Sequence, residues 1–435
     1  ENISNRMAMN PVTYEAISQY YISKRFLQQL QNNWNINNNL QLSSILAFTD
    51  YSRRTKTIKH QFSDGINYLS NEPGSQDKST FKNLVFRNTL QYQISPTVSL
   101  QPGIDINHEK ATGARIDGTP EINDFAFFVS SEIKPNNTIN IRPGLRFIKN
   151  SVYSAPPVIP SINSKFTLYN NFDLRVAYAY GFRSPALREL YYNFVDANHI
   201  IVGNPHLKAE HSSSFNGSLS CTLPKTKQGH QNVITLSSFY NTFNNLINYA
   251  TSPTSTDTTI TVNIDKYKTT GIMIEDKLQS KNFTASLGFS YIGRYNQLAD
   301  AEGFKNENLP HFMWSPELNA SMIYEFSKTG ASLALFYKFS GKKPGYEAVT
   351  NTSTGAQEIH LTHIDGCHIA DFTINKKLFT YFSVSGGVKN IFNVTQLTNT
   401  STNPDGVHST GAAIDMSYGR SYFIGLSFQL NTKHQ

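Results

Sequence analysis

Apolar and polar residues alternate with a period of two along most of this chain, and that pattern commits it to β-strands. Leu84, Phe86, Leu90, Tyr92 and Ile94 alternate with Asn83, Arg87, Thr89, Gln91 and Gln93. Phe283, Ala285, Leu287, Phe289 and Tyr291 alternate with Thr284, Ser286, Gly288 and Ser290. The same rhythm runs through Leu318, Ala320, Met322, Tyr324 and Phe326, and again through Tyr422, Ile424, Leu426, Phe428 and Leu430. Each strand therefore has one apolar face and one small or polar face. In a soluble sandwich the apolar faces meet in a core; in a transmembrane barrel they face lipid.

Connection lengths decide between the two. Short turns are expected near residues 37–39, 95–96, 135–138, 170–171, 224–230, 279–282, 328–330 and 378–381. Long polar excursions are expected near 50–80, 109–121, 149–161, 183–211, 248–265, 295–315, 341–365 and 395–419. Short and long alternate strictly, so all short turns lie on one side of the sheet and all long loops on the other. Outer-membrane barrels have this asymmetry, with short periplasmic turns and long extracellular loops. Eight hairpins and a terminal strand over 421–430 make about seventeen strands, whereas closed bacterial barrels normally have an even number. The first clear strand, about 25–36, and the last both run from the loop side to the turn side. Earlier strands are therefore expected to precede this sequence.

Composition agrees with the barrel. Only 39% of residues are hydrophobic, against about 45–50% apolar in ordinary globular chains; a wet-walled barrel tolerates the deficit. The 23 Tyr and 29 Phe suit strands and membrane interfaces. No apolar run is long enough for a transmembrane helix, so a membrane role has to come through a closed barrel. The start, Glu1-Asn2-Ile3-Ser4, has no signal-peptide character, which is expected of a processed chain or one that begins mid-protein. The net charge of +7 is spread without a dense Lys/Arg run, which argues against nucleic acid. Cys221 and Cys367 lie far apart without metal-ligand spacing and read as isolated thiols.

The stretch from Gly181 to Glu210 stands out. Phe172, Leu174, Val176, Tyr178, Tyr180 and Phe182 share one strand face that leads into it, and Pro185 ends the ladder because it has no N–H to donate. A long excursion rich in Tyr, Arg, Asn and His follows, and the strand resumes near Ser212. Long loops on a rigid sheet are where function concentrates.

Four segments in this half of the chain resemble those of the TonB-dependent outer-membrane receptors. Gly181-Phe182-Arg183-Ser184-Pro185-Ala186-Leu187-Arg188-Glu189-Leu190 is similar to the family's GFRAPSLKEL box. Gly203-Asn204-Pro205-His206-Leu207-Lys208-Ala209-Glu210 is similar to GNPNLKPE. Gly387-Val388-Lys389-Asn390-Ile391-Phe392 resembles the next-to-last strand and Gly419-Arg420-Ser421-Tyr422-Phe423-Ile424 the last. The general tone resembles the Bacteroidota branch. The resemblance implies an all-β antiparallel transmembrane barrel of about 22 strands filled by an N-terminal plug. Residues 1–435 would then be the barrel portion, with the plug and first strands outside it. The chain departs from the family in lacking a plug and a TonB box, and in ending on Asn431-Thr432-Lys433-His434-Gln435 rather than on an aromatic.

The resemblance further implies a location in the cell outer membrane and energy-coupled import through the TonB complex. A surface lipoprotein that captures the ligand is a further partner, and no catalytic cofactor is implied. Haem receptors of the family carry a histidine between the two boxes, where this chain has His199. That makes haem iron the first expected ligand, with ferric siderophore or cobalamin as alternatives. The expected ligand-binding residues are His199 (to the iron), Arg183, Arg188, Tyr191, Tyr192, Asn198 and His206. Imidazole is an axial haem ligand, tyrosine rings pack on a porphyrin, and arginine forks match propionates. A passive porin would lack the four segments. A rim hydrolase built on Ser184, His199 and Glu189 lacks a nucleophile elbow.

Overall fold

The computed structural model describes residues 8–10, 15–195, 200–252, 255–351, 353–401 and 413–429. Asn198, His199, His408 and the terminal segment 430–435 lie outside them. Among the described residues the main sheet has 21 strands, four of which (8–10, 67–69, 193–195 and 200–202) are three residues long. The remaining seventeen are the number the sequence led us to expect. In chain order they are β1 (Glu15–Asn37), β2 (Leu40–Gln61), β3 (Lys78–Ser95), β4 (Val98–Gly113), β5 (Glu121–Asn136) and β6 (Ile139–Asn150). Then follow β7 (Ile159–Tyr169), β8 (Phe172–Arg183), β9 (Glu210–Thr222), β10 (Gln231–Ser252), β11 (Ser255–Gln279) and β12 (Phe283–Tyr295). The last five are β13 (Phe312–Phe326), β14 (Ala331–Ser340), β15 (Cys367–Lys377), β16 (Phe382–Lys389) and β17 (Ser421–Phe428).

Each of the seventeen pairs antiparallel with the next, so the order in space is the order in sequence. β1 and β17 are the two ends of this run. The short strand 8–10 pairs antiparallel along the other edge of β1, so among the described residues it and β17 border the sheet and run in opposite directions.

The faces separate as the alternation requires. Leu287 is 54% exposed, Leu335 37% and Leu426 80%; these large apolar side chains point outward, toward lipid. The opposite face carries ion pairs and amides. Arg87 Nη2 donates to Asp105 Oδ2 at 2.5 Å, Arg146 Nη2 donates to the same oxygen at 3.0 Å, and the Asn83 amide bonds Asn107 and Glu109. Cys221 and Cys367 are both free thiols.

Two expected long loops are largely strand. Residues 248–265 continue β10 and β11 as a hairpin paired through to Ser252 and Ser255. The 258–264 run Thr-Thr-Ile-Thr-Val-Asn-Ile is β-branched at most positions, which favours a pleated ladder even where it is polar. Residues 343–364 form a separate two-stranded hairpin, Lys343–Thr350 with Gln357–Ile364. Polarity marks these segments as outside the membrane; it does not mark them as irregular.

Candidate functional site

The excursion after β8 folds back over one wall of the barrel mouth. Pro185 is fully buried, and a five-residue helix follows, α1 (Leu187–Tyr191), which the sequence alone reads as loop. The Ala186 N–H donates to Glu189 Oε2 at 2.8 Å, satisfying one of the donors that a helix start leaves free. Leu187 and Leu190 enter an apolar cluster with Ala111 of β4, Ile122 of β5, Ile116 and Leu207; Tyr153, Tyr191, Tyr192 and Ile247 pack around it. Ala111 and Ile122 belong to the inward faces of their strands, so α1 lies inside the mouth.

The chain returns past the helix at Gly203. Its N–H donates to the Tyr192 carbonyl at 2.6 Å, and a Cβ there would stand 2.7 Å from Tyr192 N and 2.8 Å from the Leu190 carbonyl. Only glycine permits that approach. The Asn204 N–H donates to the Glu189 carbonyl, and its side-chain amide donates to the Thr261 carbonyl at 3.1 Å. The two boxes therefore pack against each other, with β11 behind them.

Arg183 joins them. Its Nε and Nη2 donate to the two oxygens of Glu210 at 2.7 and 2.6 Å, and its Nη1 donates to both oxygens of Glu189 at 2.9 and 3.1 Å. Glu210 also accepts from the Ile247 N–H at 2.7 Å. A planar fork suits such bidentate work. The guanidinium expected to meet a propionate thus clamps the start of the loop to its end. Glu189, weighed as a hydrolase acid, is held by the same clamp. Ser184 instead contacts the Tyr153 phenol, which donates to Asp124 Oδ1 at 3.1 Å. Burial pushes that phenol above its ordinary value; Ser184 opposes the rise and the Asp124 carboxylate adds to it. Tyr153 is therefore a neutral donor under physiological conditions.

The loop is also tied to its neighbours. Ile116 bridges to Tyr192, the Asp117 N–H donates to the Tyr191 carbonyl, and the Asn193 N–H donates to the Arg115 carbonyl. The Arg115 guanidinium lies 4.1 Å from the Phe194 ring centroid and bonds Asp77 at 2.8 Å. Arg115, Asp77 and Tyr153 carry no motif signal in the sequence; they become visible only when three loops meet. Arg188 is exposed and stacks 4.5 Å from the centroid of the Tyr192 ring. The structure therefore gathers Arg183, Arg188, Tyr191 and Tyr192 on and around α1. His206 is exposed on the return segment and lines a different cleft. Asn198 and His199 fall outside the described residues.

Removing the clamp has a defined consequence. Arg183→Ala leaves Glu189 and Glu210 facing each other, and because the fork is half-exposed the expected loss is about 1–2 kcal/mol of loop docking. Amide hydrogen exchange over 187–195 should accelerate accordingly. Arg183→Lys should recover little, since an ammonium cannot span both carboxylates bidentately.

The profile of a family described as TonB dependent receptor-like, β-barrel matches residues 4–391. No curated protein matches the chain. Among solved structures, the siderophore receptor PirA of Acinetobacter baumannii superposes with a TM-score of 0.62 at 13% identity, covering 95% of this chain and 71% of that one. A mutant of the ferric enterobactin receptor PfeA of Pseudomonas aeruginosa gives 0.62 at 16% identity, with 98% and 72% covered. The FrpB iron transporter of Neisseria meningitidis gives 0.60 at 12%, with 97% and 70% covered. Likeness at these identities speaks for the fold.

Proposed function

Because this chain belongs to the TonB-dependent receptor β-barrel family, whose members are outer-membrane transporters and not enzymes, we propose that it imports iron held in an organic chelate, driven by the TonB complex. The observation that carries the reading is the fold shared with two siderophore receptors and an iron transporter. A ferric siderophore is the first ligand class. Arg188 supports it: the residue is exposed beside the barrel mouth and makes no ion pair among the described residues, so it offers a cation to an anionic chelate. Arg183, by contrast, is consumed by its clamp.

Haem is the second reading. It rests on His199 standing between the two boxes in sequence, with Tyr191 and Tyr192 on α1 close by. The plug, the first strands and a ligand-capturing surface lipoprotein belong to the same proposal.

Titration of the detergent-solubilised receptor with a ferric catecholate and, separately, with haem distinguishes the ligands. Saturable quenching of tyrosine and tryptophan emission by the catecholate, weakened in Arg188→Glu, is the expected result. A Soret shift that His199→Ala abolishes would transfer the assignment to haem. Binding of neither, with no growth defect under iron limitation when the gene is deleted, would overturn the iron reading.

A further inference from the structure

A polar row crosses the lipid face of β1, β2 and β3. The face itself is fixed by register: Leu30, Leu46, Phe86, Ile106 and Phe125 are successive partners from β1 to β5. Leu30 is 68% exposed and Phe125 52%, so these side chains face lipid. Two positions along on the same face stand Asn32, Ser44 and Asn88, again direct partners, and the row ends at Ile104 of β4. The opposite face is the wet one, where Ser43 Oγ donates to Asn33 Oδ1 at 2.7 Å.

The depth of the row follows from strand geometry. Asn32 stands five residues above Asn37, Ser44 four above Leu40 and Asn88 seven above Ser95. At about 3.3 Å per residue and a tilt of about 45°, these are roughly 12, 9 and 16 Å above the turns. All three levels lie within the apolar band of about 25 Å that a barrel presents to lipid. Apolar residues flank the row on both sides: Trp34 and Leu30 on β1, Leu42 and Leu46 on β2, Leu90 and Phe86 on β3.

Hydrocarbon offers no hydrogen bond to an amide or a hydroxyl, so such groups are costly there until another polar group meets them. Among the described residues no hydrogen bond joins the three side chains, and Asn88 Oδ1 is buried without a partner. Asn32 is exposed and Ser44 half-buried, so these two are within reach of a neighbour in the membrane. Polar side chains of this kind join membrane segments across an apolar boundary. A carboxamide donates and accepts at once, so Asn32 is complementary to a second Asn32. Two copies inserted the same way are related by a two-fold axis along the membrane normal. Such an axis keeps every residue at its own depth, so the row on one copy meets the row on the other. We propose that two copies of the receptor associate in the membrane through this row, with Asn32 of each at the axis and Leu30, Trp34 and Leu46 packed around it.

Cross-linking of the full-length receptor in phospholipid vesicles tests this. In a background with Cys221→Ser and Cys367→Ser, Asn32→Cys should form a disulfide-linked dimer under mild oxidation, and the lumen-facing control Asn33→Cys should not. Self-association is then measured by energy transfer between labelled copies as lipid is added. Asn32→Leu combined with Ser44→Val and Asn88→Leu should weaken it by about tenfold or more, the scale of one or two membrane-buried hydrogen bonds. The triple variant removes polar groups from hydrocarbon, so it should resist urea at least as well as the wild type, which separates loss of association from loss of folding. No cross-link at Asn32→Cys, or association that the triple variant leaves unchanged, would overturn the proposal. A wild type that stays monomeric but holds a different membrane protein, lost in the triple variant, would replace the second copy with that partner.

Discussion

Leu287→Arg should destabilise the barrel by about 2–4 kcal/mol in urea-dependent refolding into phospholipid vesicles. Leu287 stands four residues above the turn end of β12, near the middle of the bilayer, on the outward face. Its register partners are Asp276 on β11 and Ala320 on β13. A guanidinium at that depth has to shed its hydration or drag water inward; the Asp276 carboxylate opposite it on the same face offers a partial counter-charge, so the loss should fall toward the lower end of that range. The control lies one residue away. Ser286 shares a hydroxyl contact of 2.8 Å with Ser321 on the lumen side, so Ser286→Arg reaches water and should cost far less. If both variants refold alike, the alternation does not sort lipid from lumen.

Leu190→Ala should cost about 2–5 kcal/mol, the range for truncating a buried leucine, but the loss should appear in a different place. Leu190 is 2% exposed and sits in the cluster that seats α1 against β4 and β5. The barrel ladder does not depend on that cluster. Heat-dependent gel mobility should therefore remain normal, while hydrogen exchange across 187–195 and 203–209 rises steeply. Leu190→Met, which conserves volume, should cost less than about 1.5 kcal/mol. A global loss of barrel stability in Leu190→Ala would mean that the loop is part of the folding unit and not an attachment to it.

The two effects differ because the barrel and the loop are held by different physics. The seventeen strands share one continuous backbone ladder, and their apolar faces find lipid without any neighbouring side chain. The loop's backbone groups are satisfied piecemeal, by Glu189 on the Ala186 N–H, by the Tyr192 carbonyl on Gly203 and by Asn263 on Lys208. Such an assembly stands only while its core contacts and the Arg183 clamp are in place.

Period-two alternation and the strict succession of short and long connections determined the strand number, the side of every turn and the face of Leu287, Leu335 and Leu426, because a pleated strand in lipid has only two faces and one choice between them. Those properties are local, and a sequence states them directly. It also marked residues 183–211 as the unusual loop and Arg183 as one of its notable residues. Only the tertiary structure decided what Arg183 does. Glu189 lies six residues away from it and Glu210 twenty-seven, and nothing local says that both carboxylates meet one guanidinium. The meeting of Arg115 with Phe194, and the tie between Lys208 and Asn263, are likewise products of distant segments folding together. Hairpin polarity misled for a related reason: above the membrane a polar strand and a polar loop have the same composition, and only a partner strand at the right distance, as Ile247 finds in Asn263, separates them.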